Sequence, residues 1–280
     1  ARAAASGDPA GGYEAPRVWC TLGDRRLDEV SGLAPSRRDP GVLWAHNDSG
    51  DRPRVFAVDT LGHVLAVCTL RRASNVDWED MASVDLGGQA WVYVGDIGDN
   101  RARRAAITVY RFREPPVGSG WRDSSLAVTP ERATFRYPDG SRDCETLMVD
   151  RRDGTLLFVE KGGAAPSLYA SAWPGDGGQA VLRRLGVVLL PPELLLFGAI
   201  TGGDMHPDGT RIALRTYGSL YEFRRAGATP ASLLASPPAA TLSTPQLLQP
   251  ESICYTADGT ALCTATEGRR PQVVILRRRP

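Results

Sequence analysis

The sequence contains a single lysine, three histidines and no CxxC pair among its five cysteines. Histidine and cysteine are therefore too scarce and too scattered for a structural zinc centre. Net charge is lacking as well: 33 basic residues face 32 acidic ones, so no overall field draws the chain to nucleic acid or to an anionic membrane. The arginine-rich RARRAA and RRRP are too short to change that. Long apolar runs are missing too. The longest, LGVVLLPPELLLFGAI, is interrupted by Pro191 and Pro192, short of the roughly 18–20 residues a spanning helix needs. No nucleic-acid partner and no membrane span are expected, and a partner has to be argued from a site.

Helical periodicity is the last absence, and it decides the fold class. Short alternating or fully apolar runs recur instead, among them VLWAHND, RVFAVD, AWVYVGD, ITVYRF, TLLFVEK, RIALRTY, ALCTATE and QVVIL. These read as β-strands, and the chain is expected to be all-β. The Asp-Gly pairs in RDG, PDG and ADG supply the chemistry of tight hairpin turns. Five segments repeat one inner hairpin: residues 29–50, 77–98, 143–162, 201–218 and 249–268. With four strand-like runs per interval, they predict a β-propeller of five blades. The last blade is complete only if the N-terminal RVWCTL supplies its outer strand and closes the ring. Six blades are the alternative, and would require splitting the long second or third unit.

The opening ARAAASGDPAGGY is small, polar and rich in Gly and Pro, as expected of a segment following a removed signal peptide. Residues 1–14 are accordingly expected to be flexible, residues 15–280 to form the propeller, and the protein to be exported and monomeric. Cys254 and Cys263 flank the turn in ICYTADGTALC and are placed to face each other, so a disulfide there is an open possibility.

In a propeller the start of each first strand and the end of the second emerge at one rim. Acids far apart in NVDWEDMASVDLGGQAWVYVGDIGDN thus converge. Glu29, Ser31, Asp77, Glu79, Asp143, Glu145, Thr201, Asp204 and Glu251 are expected around the channel mouth. His46, Asn47, Asp48, Asp96, Asp99, Asn100, Glu160, Lys161, Arg215, Tyr217 and Glu267 join them from the second strands. Alternation should turn Asp77 and Glu79 to the channel and Trp78 and Asp80 to the neighbouring blade. So many carboxylates need compensation. A hard cation such as Ca2+, with six to eight oxygen ligands, is one answer; Lys161, Arg215 and shared protons are another. Bland roles compete residue by residue. Asp99 and Asn100 suit turn caps, Trp44 and Trp78 suit packing between blades, His63 suits the surface, and His206 falls at a turn on the opposite face.

EVSGLA, VDWEDMA, VGDIGDN, CETLMVD and PESICYT together resemble secreted bacterial propellers of the esterase-like or phytase-like kind. More remotely they are similar to the calcium-dependent lactonases of the gluconolactonase and paraoxonase type. The resemblance implies Ca2+ at the channel mouth, polarising an ester, lactone or phosphate oxygen, with Glu29, Glu79, Glu145 and Glu251 matching an acidic channel motif. Blade four departs from it, offering Gly203 at the aligned place and Asp204 one step later.

The leading expectation is an exported Ca2+-dependent hydrolase of a small polar ester, lactone or phosphoester, hence of a small polar or anionic substrate. Glu29, Glu79, Glu145, Glu251 and Asp204 are the candidate metal ligands. His46 or Asp96 is the candidate base, and Lys161 and Arg215 the candidate stabilisers of anionic oxygen. A glycoside hydrolase using paired carboxylates, or a lyase using His46, Tyr217 and Lys161, is the alternative. A non-catalytic binding propeller is the third reading.

Overall fold

The computed structural model describes residues 12–118, 120–162, 165–191, 199–224, 229–243 and 250–279. Residues 1–11 of the expected flexible segment, and residues 192–198 of the Pro-interrupted apolar run, lie outside them. Among the described residues no helix is long and apolar enough to cross a membrane.

Strand β1 (Arg17–Thr21) belongs to the last sheet, as the ring-closing argument requires. Blade one is β2 (Val30–Pro35), β3 (Val42–Asn47), β4 (Arg54–Asp59) and β5 (Val64–Leu70). Blade two is β6 (Trp78–Leu86), β7 (Gln89–Asp96), β8 (Ile107–Arg113) and β10 (Glu131–Arg136). Blade three is β11 (Cys144–Asp150), β12 (Thr155–Glu160), β13 (Ser167–Ser171) and β15 (Arg183–Val187). Blade four is β16 (Ile200–Met205), β17 (Arg211–Thr216), β18 (Ser219–Arg224) and β19 (Ala240–Ser243), with the single turn-and-a-half α1 (Pro230–Leu234) beside it. Blade five is β20 (Pro250–Tyr255), β21 (Ala261–Thr266) and β22 (Gln272–Arg277), completed by β1 in antiparallel pairing with β22. The protein is a five-bladed β-propeller closed by its N-terminal strand.

The extra length of the second and third units does not make a sixth blade. It forms β9 (Ser124–Val128), which pairs parallel with β5 of blade one, and β14 (Gln179–Val181), which pairs parallel with β10 of blade two. Each long connection thus reaches back to the outer edge of the preceding blade and covers backbone that an edge strand would leave open.

Between blades the packing is apolar. Trp44 and Trp78, both fully buried, share one cluster with Ala34, Met81, Val92 and Tyr110 at the junction of blades one and two. At the other end of the ring Tyr13, just before β1, is buried, and its hydroxyl donates to Glu222 at 2.6 Å. Tyr255 of blade five donates to the same carboxylate oxygen at 3.1 Å. Cys254 and Cys263 are direct partners in the register of β20 and β21, yet all five cysteines are buried free thiols.

One irregularity repeats in every blade. Each inner strand shifts register against its neighbour near its start, between Val30 and Gly32, Trp78 and Asp80, Cys144 and Thr146, Ile200 and Gly202, and Pro250 and Ser252. The residue skipped is Ser31, Glu79, Glu145, Thr201 or Glu251. A bulge re-aims the side chain it carries and breaks simple alternation. One expectation changes and one is extended. Thr201, not Gly203, is the blade-four equivalent of the three glutamates. Asp80 does face the neighbouring blade, as alternation leads one to expect, but reaches past it: one oxygen accepts from Met81 N at 2.9 Å, and the other accepts from Leu147 N of blade three at 3.0 Å and from Gly203 N of blade four at 3.2 Å. That carboxyl, wholly buried, lies where three inner strands meet.

Candidate metal centre at the channel mouth

The bulges project Glu79, Glu145 and Glu251 into one rim, and the ends of the second strands bring Asp48 and Glu267 beside them. Three sets of carboxyl oxygens lie within 4.8 Å of one another: Asp48, Asp77 and Glu79; Asp48, Glu251 and Glu267; and Glu79, Asp143 and Glu145. Asp48 and Glu79 each belong to two sets, so the groups merge into one arc across blades one, two, three and five. The lone lysine of the sequence enters this arc. Lys161 Nζ is ion-paired with Glu145 and lies 3.5 Å from Asn100 Oδ1.

The electrostatics follow from burial and from like charges in contact. Glu79, 3% exposed, has its carboxyl pushed well above the ordinary range by burial and then by Glu145, Asp48 and Asp77. Burial also raises Glu145, and Lys161 holds it partly down. Glu251 is raised by burial and by Glu267. Asp77 is raised to about 6 by burial and by Asp48. Tyr217, partly exposed at the same rim, is raised to about 12 by burial and by Glu251, Glu145 and Glu267, although Lys161 opposes the rise. One ammonium cannot balance this many carboxylates. They either keep protons or share a cation.

Gly98 makes room for the arc. A Cβ at this position would stand 2.1 Å from Glu79 Oε1 and 2.6 Å from Asp77 Oδ2. Nearby, Arg104 binds Asp96 Oδ1 at 2.8 Å and the Gly98 carbonyl at 2.7 Å, and Asp143 accepts from Asp99 N at 2.8 Å. The GDIGDN loop therefore holds Gly98 against the carboxyls. Gly98→Ala is expected to leave the fold intact and to weaken divalent-cation binding by at least about tenfold, because the methyl displaces two donors; calorimetric titration of the variant checks this.

Other expected site residues lie elsewhere. Asp204 is not at this mouth: it accepts from Tyr255 N at 2.8 Å and Met205 N at 2.8 Å, and lines a cavity of about 160 Å³ near the opposite opening with Arg37, Ser83, Arg151 and His206. The blade-four register, offset by the bulge, carries it down the strand. Glu29 is exposed and joins none of the carboxyl sets found among the described residues; its carbonyl accepts from Asp48 N at 2.8 Å. Blade one contributes Asp48 instead.

His46 is wholly buried over Gly32, where a Cβ would come within 2.1 Å of its Nε2, and its ring meets Trp78 edge-on at 5.3 Å. Burial depresses it to about 4, so it is neutral at physiological pH. Arg215, which pairs with Gly202 as His46 pairs with Gly32, is also fully buried. Desolvation lowers it to about 9. Asp96 receives Asp77 N at 3.2 Å besides its ion pair with Arg104. These three pack or position the rim, whereas Lys161 and Tyr217 stand in it. Asp48 and Glu267 complete carboxyl sets that a reading limited to inner-strand acids passes over. The signal available for them is the acid closing the polar cluster after each second strand.

The fold and the rim together define a class, a five-bladed propeller with a carboxyl-lined channel mouth. No family model matches the chain, and no curated protein matches it. Among solved structures it is similar to Kuenenia stuttgartiensis hydrazine synthase, with a TM-score of 0.50 and 14% identity over 90% of this chain and 96% of that one. At that identity the likeness shows the propeller architecture alone, and architecture does not carry activity.

Proposed function

We propose that the protein is an exported Ca2+-dependent hydrolase of a small polar ester, lactone or phosphoester. The observation that carries the reading is the merged arc of carboxyls around Asp48 and Glu79. All its donors are hard oxygens, which suit Ca2+ and not zinc, and Gly98 leaves the space that a side chain would fill. Asp48, Glu79, Glu145 and Glu251 are the proposed ligands. Bound there, Ca2+ would supply Lewis-acid polarisation of the scissile oxygen.

The remaining rim residues divide the work. Asp77 belongs to the arc but is not among the proposed ligands; half-buried and without the arginine ion pair that occupies Asp96, it takes the role of base toward a water. His46, enclosed and neutral, does not. Lys161 and Tyr217 donate to the oxygen that gains charge. A glycosidase reading gains less support, because the grouped carboxyl oxygens approach within 4.8 Å, closer than the roughly 5–9.5 Å that sugar hydrolysis uses.

A panel of aryl esters, lactones and phosphoesters tests the proposal. Hydrolysis should vanish in EDTA, return with calcium, and fall more than about 100-fold in Glu79→Gln while circular dichroism stays unchanged. Activity indifferent to EDTA would overturn the metal role. Calcium binding with no turnover of any substrate in the panel would make the protein a binding propeller.

A further inference from the structure

Outward from the Asp48, Glu251 and Glu267 set, the same rim carries a second, oppositely charged feature. A cavity of about 470 Å³ opens between the loop that follows β1 and the loop that joins β21 to β22. Arg25, Arg269 and Arg270 line it, with Asp24 and Asp28. Asp24 is already engaged, since Arg26 Nη2 binds it at 2.6 Å and also reaches Asp123 at 2.6 Å. Arg25, Arg269 and Arg270 make no side-chain ion pair or hydrogen bond among the described residues. Three exposed guanidinium groups thus share one concave space with a single uncommitted carboxylate. For a structural surface such crowding of like charge is unfavourable; for a ligand with two negative charges it is a receptor.

The walls are fixed in advance. Gly268 N donates to Asp28 O at 2.7 Å, Leu22 N to Pro271 O at 2.8 Å, and Leu27 N to Asp24 O at 3.1 Å, while the Leu27 side chain is fully buried. Arg270 has φ +59°, a left-handed backbone in a non-glycine residue immediately before a proline. That position favours extended backbone, so the left-handed conformation is strained. The loop holds the strained conformation at the residue that lines the cavity.

We propose that this cavity binds a phosphoryl group. Its volume exceeds what the group alone needs and falls within the range of small-molecule pockets, about 300–1,000 Å³. Room therefore remains for the substituent. Glu267, a member of the channel-mouth carboxyl sets, directly precedes Gly268 and the cavity arginines Arg269 and Arg270, so a phosphorylated ligand seated on the arginines extends toward the channel-mouth carboxyls. That extension rests on the hydrolase reading above and makes an anionic phosphoester its substrate class; the phosphoryl site itself does not depend on it.

The test uses the full chain in EDTA, so that calcium plays no part. Calorimetric titration with inorganic phosphate, phenyl phosphate and benzoate is compared for wild type, Glu79→Gln and the triple variant Arg25→Gln/Arg269→Gln/Arg270→Gln. Phosphate and phenyl phosphate should bind wild type and Glu79→Gln alike, and the triple variant at least 10-fold more weakly with unchanged melting. Absence of phosphate binding at millimolar concentration, or equal binding by the triple variant, overturns the proposal. Benzoate binding more tightly than phenyl phosphate overturns the phosphoryl assignment. Should the phosphate result hold while no substrate in the panel is turned over, the hydrolase reading falls and the phosphoryl site stands.

Discussion

Asp80→Ala is expected to lower the melting temperature by about 10 °C or more and to cut the yield of soluble protein. The wild-type carboxyl takes N–H groups from Met81, Leu147 and Gly203, which belong to three different blades. Alanine leaves all three buried donors without their partner, at about 1–3 kcal/mol each, and opens a void on the axis. For a chain of this size each kcal/mol moves the melting temperature by about 2–4 °C, so even the low end is a large effect. Asp80→Asn should fall between, because its amide retains one acceptor oxygen and turns a donor toward the N–H groups. Thermal denaturation of both variants decides it. A melting temperature for the alanine variant within 2 °C of wild type would show that the axial carboxyl does not tie the blades.

In the absence of divalent cations, stability is expected to fall as pH rises from about 5.5 to 9. Asp77 and Asp204 are each raised to about 6 by burial, and burial together with neighbouring carboxyls raises Glu79, Glu145 and Glu251 further. A carboxyl held up in the folded state keeps a proton that the unfolded chain releases. Its stabilising effect is complete below the ordinary carboxylate range and is lost as pH climbs through the folded value. Acids held down act in the opposite sense: Asp208, lowered to about 2 by Thr210 and His206 against burial, and Asp24, lowered chiefly by Arg26, lose stabilisation in acid. A maximum near pH 5 follows, with a decline on the order of 5–10 °C on the alkaline side. Under the proposed metal role calcium should restore most of that decline, because a ligand of the ionised arc stabilises the folded state over the unfolded chain. Melting curves in EDTA and in calcium across this range give the answer; flat curves in EDTA would mean that the rim acids are compensated within the protein.

The propeller was legible because its signals are local. Alternating runs and Asp-Gly turns define hairpins, and their repetition defines blades; RVWCTL lies in β1 beside β22, where ring closure puts it. The bulges were not legible. Ser31, Glu79, Glu145, Thr201 and Glu251 share no residue type that announces an extra residue, so alignment by composition set Gly203 where Thr201 belongs and drew Asp204 to the wrong end of the channel. The same slip hid the axial place of Asp80. Asp48, Glu79, Glu145 and Glu251 do meet, because strand direction alone brings their ends to one rim. His46 and Arg215 turn into the packing, each opposite a glycine in the paired strand, Gly32 and Gly202. A large polar residue facing glycine across a ladder is a readable sign of a side chain lying over backbone. The back-reaching β9 and β14, SSLAV and QAV, are too short to show a pattern that declares their partners in advance.

The central claim is that the channel mouth holds a divalent cation. Titration of chelator-stripped protein with calcium at pH 8, in two buffers of different ionisation enthalpy, tests it most directly. The account predicts saturable binding accompanied by proton release, because the ligands are carboxyls held partly protonated by their neighbours, and at least about 100-fold weaker binding in Glu79→Gln and in Glu251→Gln. No binding up to millimolar calcium, or equal binding by both variants, would contradict it.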